Sequence, residues 1–376
     1  MMIVEDIDTA VVGLQAAGVQ AAVEAALAAI RRDATTVAEE RLVWAHLDAI
    51  TRTGLLAAPL PASEGGLGWG TEAGKDAAFC AALRRIGRTS LALGRVFEAH
   101  VNAIRLLHRH APAGLFRRVA DDVRRGRLIG LWVTAFSDPV RLAASDGGVS
   151  LRGTLDVCSG AGLASRAVVM ASDEAGREHL AYVGADDFSV IADRRLALMG
   201  MRAAMTGAVR VEGEISAEAV FAGPGDYMAE PDFSGGAWRT SAVTVGGLEA
   251  LVDEAMGQLR AKRRDGNSDQ RARVGQMLLA RETARLWIGQ ASEKAEAALA
   301  DPDETRAFVN LARLAIEECC LRVIPLVQRS LGVACMQSGN RAEQLMRDLS
   351  TYLRQPAGDE ILAEAAGYYL KRESGE

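Results

Sequence analysis

Few side chains in this sequence have a type and spacing that would do chemistry unaided. The five cysteines, Cys80, Cys158, Cys319, Cys320 and Cys335, show no C-x-x-C spacing and have no clustered histidines beside them. That argues against a metal site or a redox dithiol. No Ser-His-Asp arrangement is readable from spacing. Gly225, Gly235 and Gly236 form neither a dinucleotide fingerprint nor a P-loop, since no strand pattern precedes them. His100 is the acid–base candidate. It falls on the stripe Leu93, Phe97, His100, Ile104 and Leu107, a helical spacing that faces a core. A histidine there is either a satisfied core group or a pocket histidine. Glu98, His108 and His110 read as exposed, and Asp156 as a surface strand residue. The basic run from Arg263 to Arg271 is a solvated turn or a phosphate-binding loop. Asp359 and Glu360 read as charges at a helix N-terminus.

The elements that must position these residues fall in three stretches. Helical patterns occupy residues 15–33, 40–54, 71–88, 89–111 and 113–126, with Gly54 as a C-terminal stop. Between them, residues 59–70 carry Pro59, Pro61 and a run of glycines, and so form an irregular loop. From 128 to 222 the chain offers short β-branched or apolar runs, including 128–134, 167–170 and 208–211. Asp146-Gly147-Gly148 is a hairpin signal between two of them. Helical periodicity then returns over 235–263, 269–300, 303–336, 341–354 and 358–372, joined by short polar loops. The expected division is an N-terminal helical domain (1–127), a central β-barrel or sandwich (128–224) and a C-terminal helical bundle (225–376).

Composition narrows the class. The chain has 376 residues, 49% apolar and 24% charged, which fits a globular protein able to bury a large core. Lys plus Arg total 43 against 49 Asp plus Glu, a net charge of −6. That balance disfavours a nucleic-acid partner. No run of about 18 apolar residues predicts a membrane helix, and the acidic N-terminal stretch does not resemble a signal peptide. A cytoplasmic location is the expectation.

Local motifs sharpen the helix–β–helix order. Thr53-Gly54-Leu55-Leu56 leading to Pro59 and Glu64-Gly65-Gly66-Leu67-Gly68 resembles the entry segment of the acyl-CoA dehydrogenase superfamily. Leu198-Met199-Gly200-Met201-Arg202 followed by Thr206-Gly207-Ala208-Val209 resembles its Gly-Met-Arg…Thr strand pair. Gly332 with Glu343, Arg347 and Asp348 resembles a run of its last domain. The resemblance implies a mainly α fold with a central β domain and a C-terminal four-helix bundle, FAD as cofactor, an acyl-CoA or other acyl carrier as substrate, and a homodimer or homotetramer. It also implies flavin contacts at Trp132, Val133 and Thr134, and at Val157, Cys158 and Ser159, with Ser159 toward the flavin N5. Lys262 or Arg263 falls where the family supplies an Arg to the FAD pyrophosphate across a subunit contact, and Gly332 falls near a second FAD. His100 would then face the substrate cavity.

Departures from the family pattern bear on the activity. Val157 replaces a Trp that walls the flavin. Ala135-Phe136-Ser137-Asp138 is shorter than the family's loop after Thr134. The family's two positions for the α-proton base fall at Pro356 and at about Gly236, and neither is a base. Three functions are consistent with this: an FAD oxidoreductase of the CH–CH class with an atypical or missing base, a flavin-dependent monooxygenase of the same fold in which His100 and Ser159 serve the flavin, or a non-catalytic relative.

Overall fold

The computed structural model describes residues 39–297 and 301–374. The Ala-rich helix expected over 15–33 and the N-terminal stretch lie outside the described residues. The chain divides into two compact units. One takes residues up to 75, 95–197 and 203–229, and the other takes 76–94, 198–202 and 230 onward.

In the first unit, α1 (Glu39–Arg52) ends at Gly54, whose φ of 73° is the left-handed conformation that glycine adopts without strain. The loop that follows is folded back on itself. The amides of Leu67 and Trp69 both donate to the Ala58 carbonyl, at 3.0 and 3.2 Å. Gly66 is required there by space, since a Cβ would stand 1.9 Å from the Leu60 oxygen. The helix expected from residue 71 begins instead at Asp76, because residues 68–74 are turns, with Gly68 and Gly74 at positive φ. That helix is α2 (Asp76–Thr89), which belongs to the second unit. It is followed by α3 (Leu91–His110) and α4 (Ala113–Arg124).

An eight-stranded sheet completes the unit: β1 (Ile129–Trp132), β2 (Arg141–Ser145), β3 (Gly148–Cys158), β4 (Arg166–Ser172), β5 (Glu178–Gly184), β6 (Phe188–Arg195), β7 (Gly207–Ile215) and β8 (Val220–Ala222). Its order is β6-β7-β3-β2-β4-β5-β8, with β1 parallel to β4. Asp146 and Gly147 make the two-residue turn of the β2–β3 hairpin, where Ser145 pairs with Gly148. Alternation along β1 sends Trp132 into one apolar cluster with Leu155, Val169 and Val209. Its neighbour Val133 packs against a second cluster with Ile104, Leu107 and Val168.

The second unit is a helix bundle. After the short α5 (Asp232–Gly235) come α6 (Ala237–Ala261), α7 (Ser268–Glu296), α8 (Pro302–Leu331), α9 (Arg341–Tyr352) and α10 (Gly358–Ser374). Asn267, Asp301 and Asn340 cap α7, α8 and α9 with side-chain oxygens on backbone amides. Among the described residues one helix, Pro302–Met336, is long and apolar enough to cross a bilayer by length and composition. It packs against α6, α7 and α10, so its apolarity supplies bundle core.

Residues 198–202 belong to this unit because α9 grips them. The Gly200 amide donates to Thr351 Oγ1 at 2.9 Å, the Met201 amide to Asp348 Oδ1 at 2.6 Å, and Arg347 donates to the Met199 carbonyl at 3.1 Å. A Cβ at Gly200 would stand 2.1 Å from the Arg347 carbonyl oxygen. Gly200→Ala is therefore expected to destabilise this unit by about 1–3 kcal/mol. Asp348→Ala, which strips a buried amide of its acceptor, should cost a similar amount. Urea unfolding followed by circular dichroism checks both, and a change below measurement error in both would refute the grip.

Candidate functional site

The sequence-selected residues of the β segments meet at one end of the sheet. Cys158 pairs with Gly207 across β3–β7, and Gly207 with Arg195 across β7–β6, so the three strands are level there. Just beyond, Ser159 Oγ lies 3.3 Å from Thr206 Oγ1, and the Leu196 amide donates to the Thr206 carbonyl at 3.0 Å. The Trp132 indole N–H donates to the Ser159 carbonyl at 3.0 Å and holds this turn in place. Ser159 is half-buried and Thr206 is buried. The hydroxyl pair lies in one unit with two exposed apolar side chains, Val157 and Leu196. A long separation of 3.3 Å between two rotatable hydroxyls leaves both able to turn toward a ligand.

The segment after β1 is bonded along β3. The Asp156 amide donates to the Thr134 carbonyl at 2.8 Å, the Phe136 amide to Asp156 Oδ2 at 2.7 Å, and the Thr154 amide to the Asp138 carbonyl at 2.7 Å. Asp156 is therefore buried, not the surface residue expected from the sequence. A carboxylate can be buried here because Phe136 and Arg194 satisfy it.

Several expected roles change. His100 is fully buried. Its Nδ1 accepts the Ile129 amide at 3.0 Å, so Nε2 carries the proton and donates to the Leu56 carbonyl, also 3.0 Å. Both ring nitrogens are used, and burial lowers the pKa to about 4. His100 is thus a neutral structural tie, not an acid–base group. Trp132 and Cys158 have no exposed side chain and belong to the β core, Trp132 edge-on to Phe188. Any ligand contact from either must come from the backbone. Glu98, expected on the surface, is buried and paired with Arg95 and Asn102. Thr206 was legible only as a motif position, and its partnership with Ser159 carried no spacing signal.

In the helical unit, Lys262 and Arg263 are exposed in the α6–α7 turn, Arg263 with φ 52°. Gly332 is exposed and has nothing within 4 Å of where a Cβ would sit. Its φ of 68°, and no close approach within the chain, calls for glycine. Pro356 lies in the exposed α9–α10 connection, where its carbonyl accepts from Arg313 Nη2 at 2.6 Å. Arg354 beside it pairs with Glu317 at 2.5 Å. A cavity of about 20 Å³ behind this connection is lined by Thr240, Ser241, Arg313, Glu317 and Tyr352. Asp359 and Glu360 are exposed in the first turn of α10, as helix-end charges should be.

This architecture is the acyl-CoA dehydrogenase fold. Butyryl-CoA dehydrogenase from Megasphaera elsdenii superposes with a TM-score of 0.80 at 15% identity, covering 96% of this chain and 99% of that one. FMN-bound TdsC from Paenibacillus, a dibenzothiophene monooxygenase, gives 0.79 at 20% identity over 94% and 98%. The methanesulfinate monooxygenase MsuC from Pseudomonas fluorescens gives 0.77 at 18% over 96% and 98%. No protein-family model and no curated protein sequence matches the chain.

The state of His100 sets a pH dependence. Its folded pKa lies below the 6.5 of an unfolded histidine, so the unfolded chain takes up a proton that the native state refuses. Stability is full above pH 6.5 and falls as pH drops toward 4, by roughly 3 kcal/mol in all. His100→Phe should cost about 2–5 kcal/mol at pH 7, since two buried backbone groups lose partners. It should also flatten this part of the pH profile. Chemical denaturation at pH 7.0 and 5.0 checks both effects, and equal pH slopes for the two proteins would refute the assignment.

Proposed function

We propose that the protein is a flavin-dependent oxidoreductase acting on a small molecule, with chemistry of the oxygenase kind rather than acyl-CoA dehydrogenation. The observation that carries the flavin reading is the Ser159–Thr206 hydroxyl pair at the sheet end, next in chain to exposed apolar Val157, in a fold that TdsC shares in its FMN-bound form. An isoalloxazine needs both kinds of surface: hydroxyl partners for its polar edge and apolar cover for its rings. Bound flavin would supply two-electron redox chemistry at its N5. Ser159 and Thr206 would orient that edge, and Thr134 would approach it from the segment after β1. FAD is the form expected from the sequence resemblance. Because the ring system is common to FAD and FMN, the same residues serve either.

The oxygenase reading rests on the α9–α10 connection. α,β-Dehydrogenation of a thioester needs a carboxylate at the α-proton. Here that stretch presents Pro356, with its carbonyl occupied by Arg313, and the flanking carboxylates Asp359 and Glu360 face solvent. Glu317, the carboxylate lining the nearby cavity, is engaged by Arg354. Monooxygenases among the structural neighbours share the fold without being acyl-CoA dehydrogenases by name.

The purified protein should take up flavin, and Ser159→Ala should weaken uptake several-fold, about 1 kcal/mol for a hydroxyl partner. Titration followed by flavin absorbance checks this, and no uptake of FAD or FMN at tens of micromolar would overturn the flavin reading. Anaerobic straight-chain acyl-CoAs should leave the bound flavin oxidised. Reduction by an external reductant followed by reaction with oxygen should restore it. Bleaching by an acyl-CoA, abolished in Asp359→Asn or Glu360→Gln, would instead establish a dehydrogenase with its base in α10.

The protein is also proposed to be a homodimer or homotetramer. Leu279 and Leu286, seven residues apart on α7, and Leu321 on α8 are large exposed apolar side chains that a second copy would cover. Light scattering at micromolar concentration should give a multiple of the 39.9 kDa chain mass, and a single-chain mass would refute it.

A further inference from the structure

The sheet end contains two irregularities in strand register, one on each side of β7. Along β3 the register with β7 runs Leu155 to Val209 and then Cys158 to Gly207, so β3 carries one extra residue between them. Along β6 it runs Val190 to Val209 and then Arg195 to Gly207, so β6 carries three extra. Both neighbours of β7 therefore bulge at the same level. A bulge takes residues out of the ladder and re-aims their side chains. The residues released here are Asp156 on β3 and Arg194 on β6, and they form an ion pair across the intervening strand. At that level β7 is Gly207-Ala208, two small residues that put little side-chain bulk between its neighbours.

Asp156 uses its other carboxylate oxygen on the Phe136 amide at 2.7 Å, while its own amide holds the Thr134 carbonyl at 2.8 Å. One residue thus grips the segment after β1 at both 134 and 136. Asp156 is 5% exposed, while the Arg194 side chain is 44% exposed. The carboxylate is built into the protein, and its counter-charge is brought to it from the surface by the second bulge. A simple turn would need neither. Burying a carboxylate is costly unless it is hydrogen-bonded and paired, and here the Phe136 amide and Arg194 do both.

We propose that Asp156, aimed by the β3 bulge and balanced by Arg194 from the β6 bulge, is a positioning residue that holds residues 134–138 so that Thr134 is presented to the flavin edge alongside Ser159 and Thr206. This deepens the flavin reading and rests on it for the identity of the ligand. The grip on the segment is independent of any ligand.

Two measurements separate these parts. Hydrogen exchange on the intact protein without added flavin reads the grip. The peptide covering residues 133–140 should exchange at least tenfold faster in Asp156→Ala and measurably faster in Arg194→Gln, with α8 unchanged. Arg194→Lys should restore protection. Because Arg194 is half-exposed, the Arg194→Gln variant keeps the test alive where Asp156→Ala fails to fold. Unaltered exchange in both Asp156→Ala and Arg194→Gln would overturn the proposal. Flavin titration then reads the positioning. Arg194→Gln should weaken uptake about three- to tenfold, and Thr134→Val should do little more in that background than Arg194→Gln alone. Fully additive losses would mean that the latch does not act through Thr134 and would overturn the positioning role. Absence of flavin uptake by the parent protein, with the exchange result intact, would overturn the flavin reading and leave the latch standing.

Discussion

The first unit depends on a buried imidazole that must stay neutral. His100 joins three pieces of chain that are far apart in sequence: the entry loop through the Leu56 carbonyl, α3 through its own backbone, and β1 through the Ile129 amide. A backbone donor and a backbone acceptor at the two ring nitrogens can be satisfied together only by one neutral tautomer. Protonation would set Nδ1–H against the Ile129 N–H. The surrounding apolar stripe of Phe97, Ile104 and Leu107 enforces neutrality by excluding water. Since β1 runs directly into Trp132 and Thr134, the placement of the sheet end begins with this contact.

From there the regular ladder of the sheet is interrupted at its Ser159 end. Trp132 spends its indole N–H on the Ser159 carbonyl, so the turn carrying the candidate hydroxyl is fixed by a core side chain. Bulges on both sides of β7 release Asp156 and Arg194, and Ser159 and Thr206 come side by side where the ladder stops. Regular pairing would have returned these side chains to the alternating inside–outside pattern.

The helical unit shows the same economy with charge. Glu249 is buried on α6 and is reached by Arg84 from α2 and Arg285 from α7. The two guanidinium groups together offset the cost of burying that carboxylate. On α9, Arg347 is held by Glu343 at 2.7 Å and caps the Met199 carbonyl, while Asp348 takes the Met201 amide. The Gly-Met-Arg and Arg-Asp motifs, more than a hundred residues apart, are thus two halves of one contact. Their presence together is explained by backbone hydrogen bonding.

The sequence by itself determined the order and kind of the elements. Period and punctuation settle those locally, as the α3 stripe, the Asp146-Gly147 hairpin and the long bundle helices show. It also places Pro356 where the family resemblance implies a base, and a proline side chain has no group that removes a proton. The environment of each candidate was decided only by the tertiary structure. His100 and Asp156 are polar residues whose burial depends on partners from distant segments: Leu56 and Ile129 for one, Phe136 and Arg194 for the other. No periodicity encodes such partners. Bulges have no compositional mark, so the pairing of Asp156 with Arg194 and of Ser159 with Thr206 was invisible in the chain. Hydrogen-bond satisfaction in the interior is a property of three-dimensional neighbours, and it decided which polar residues are tied into the core.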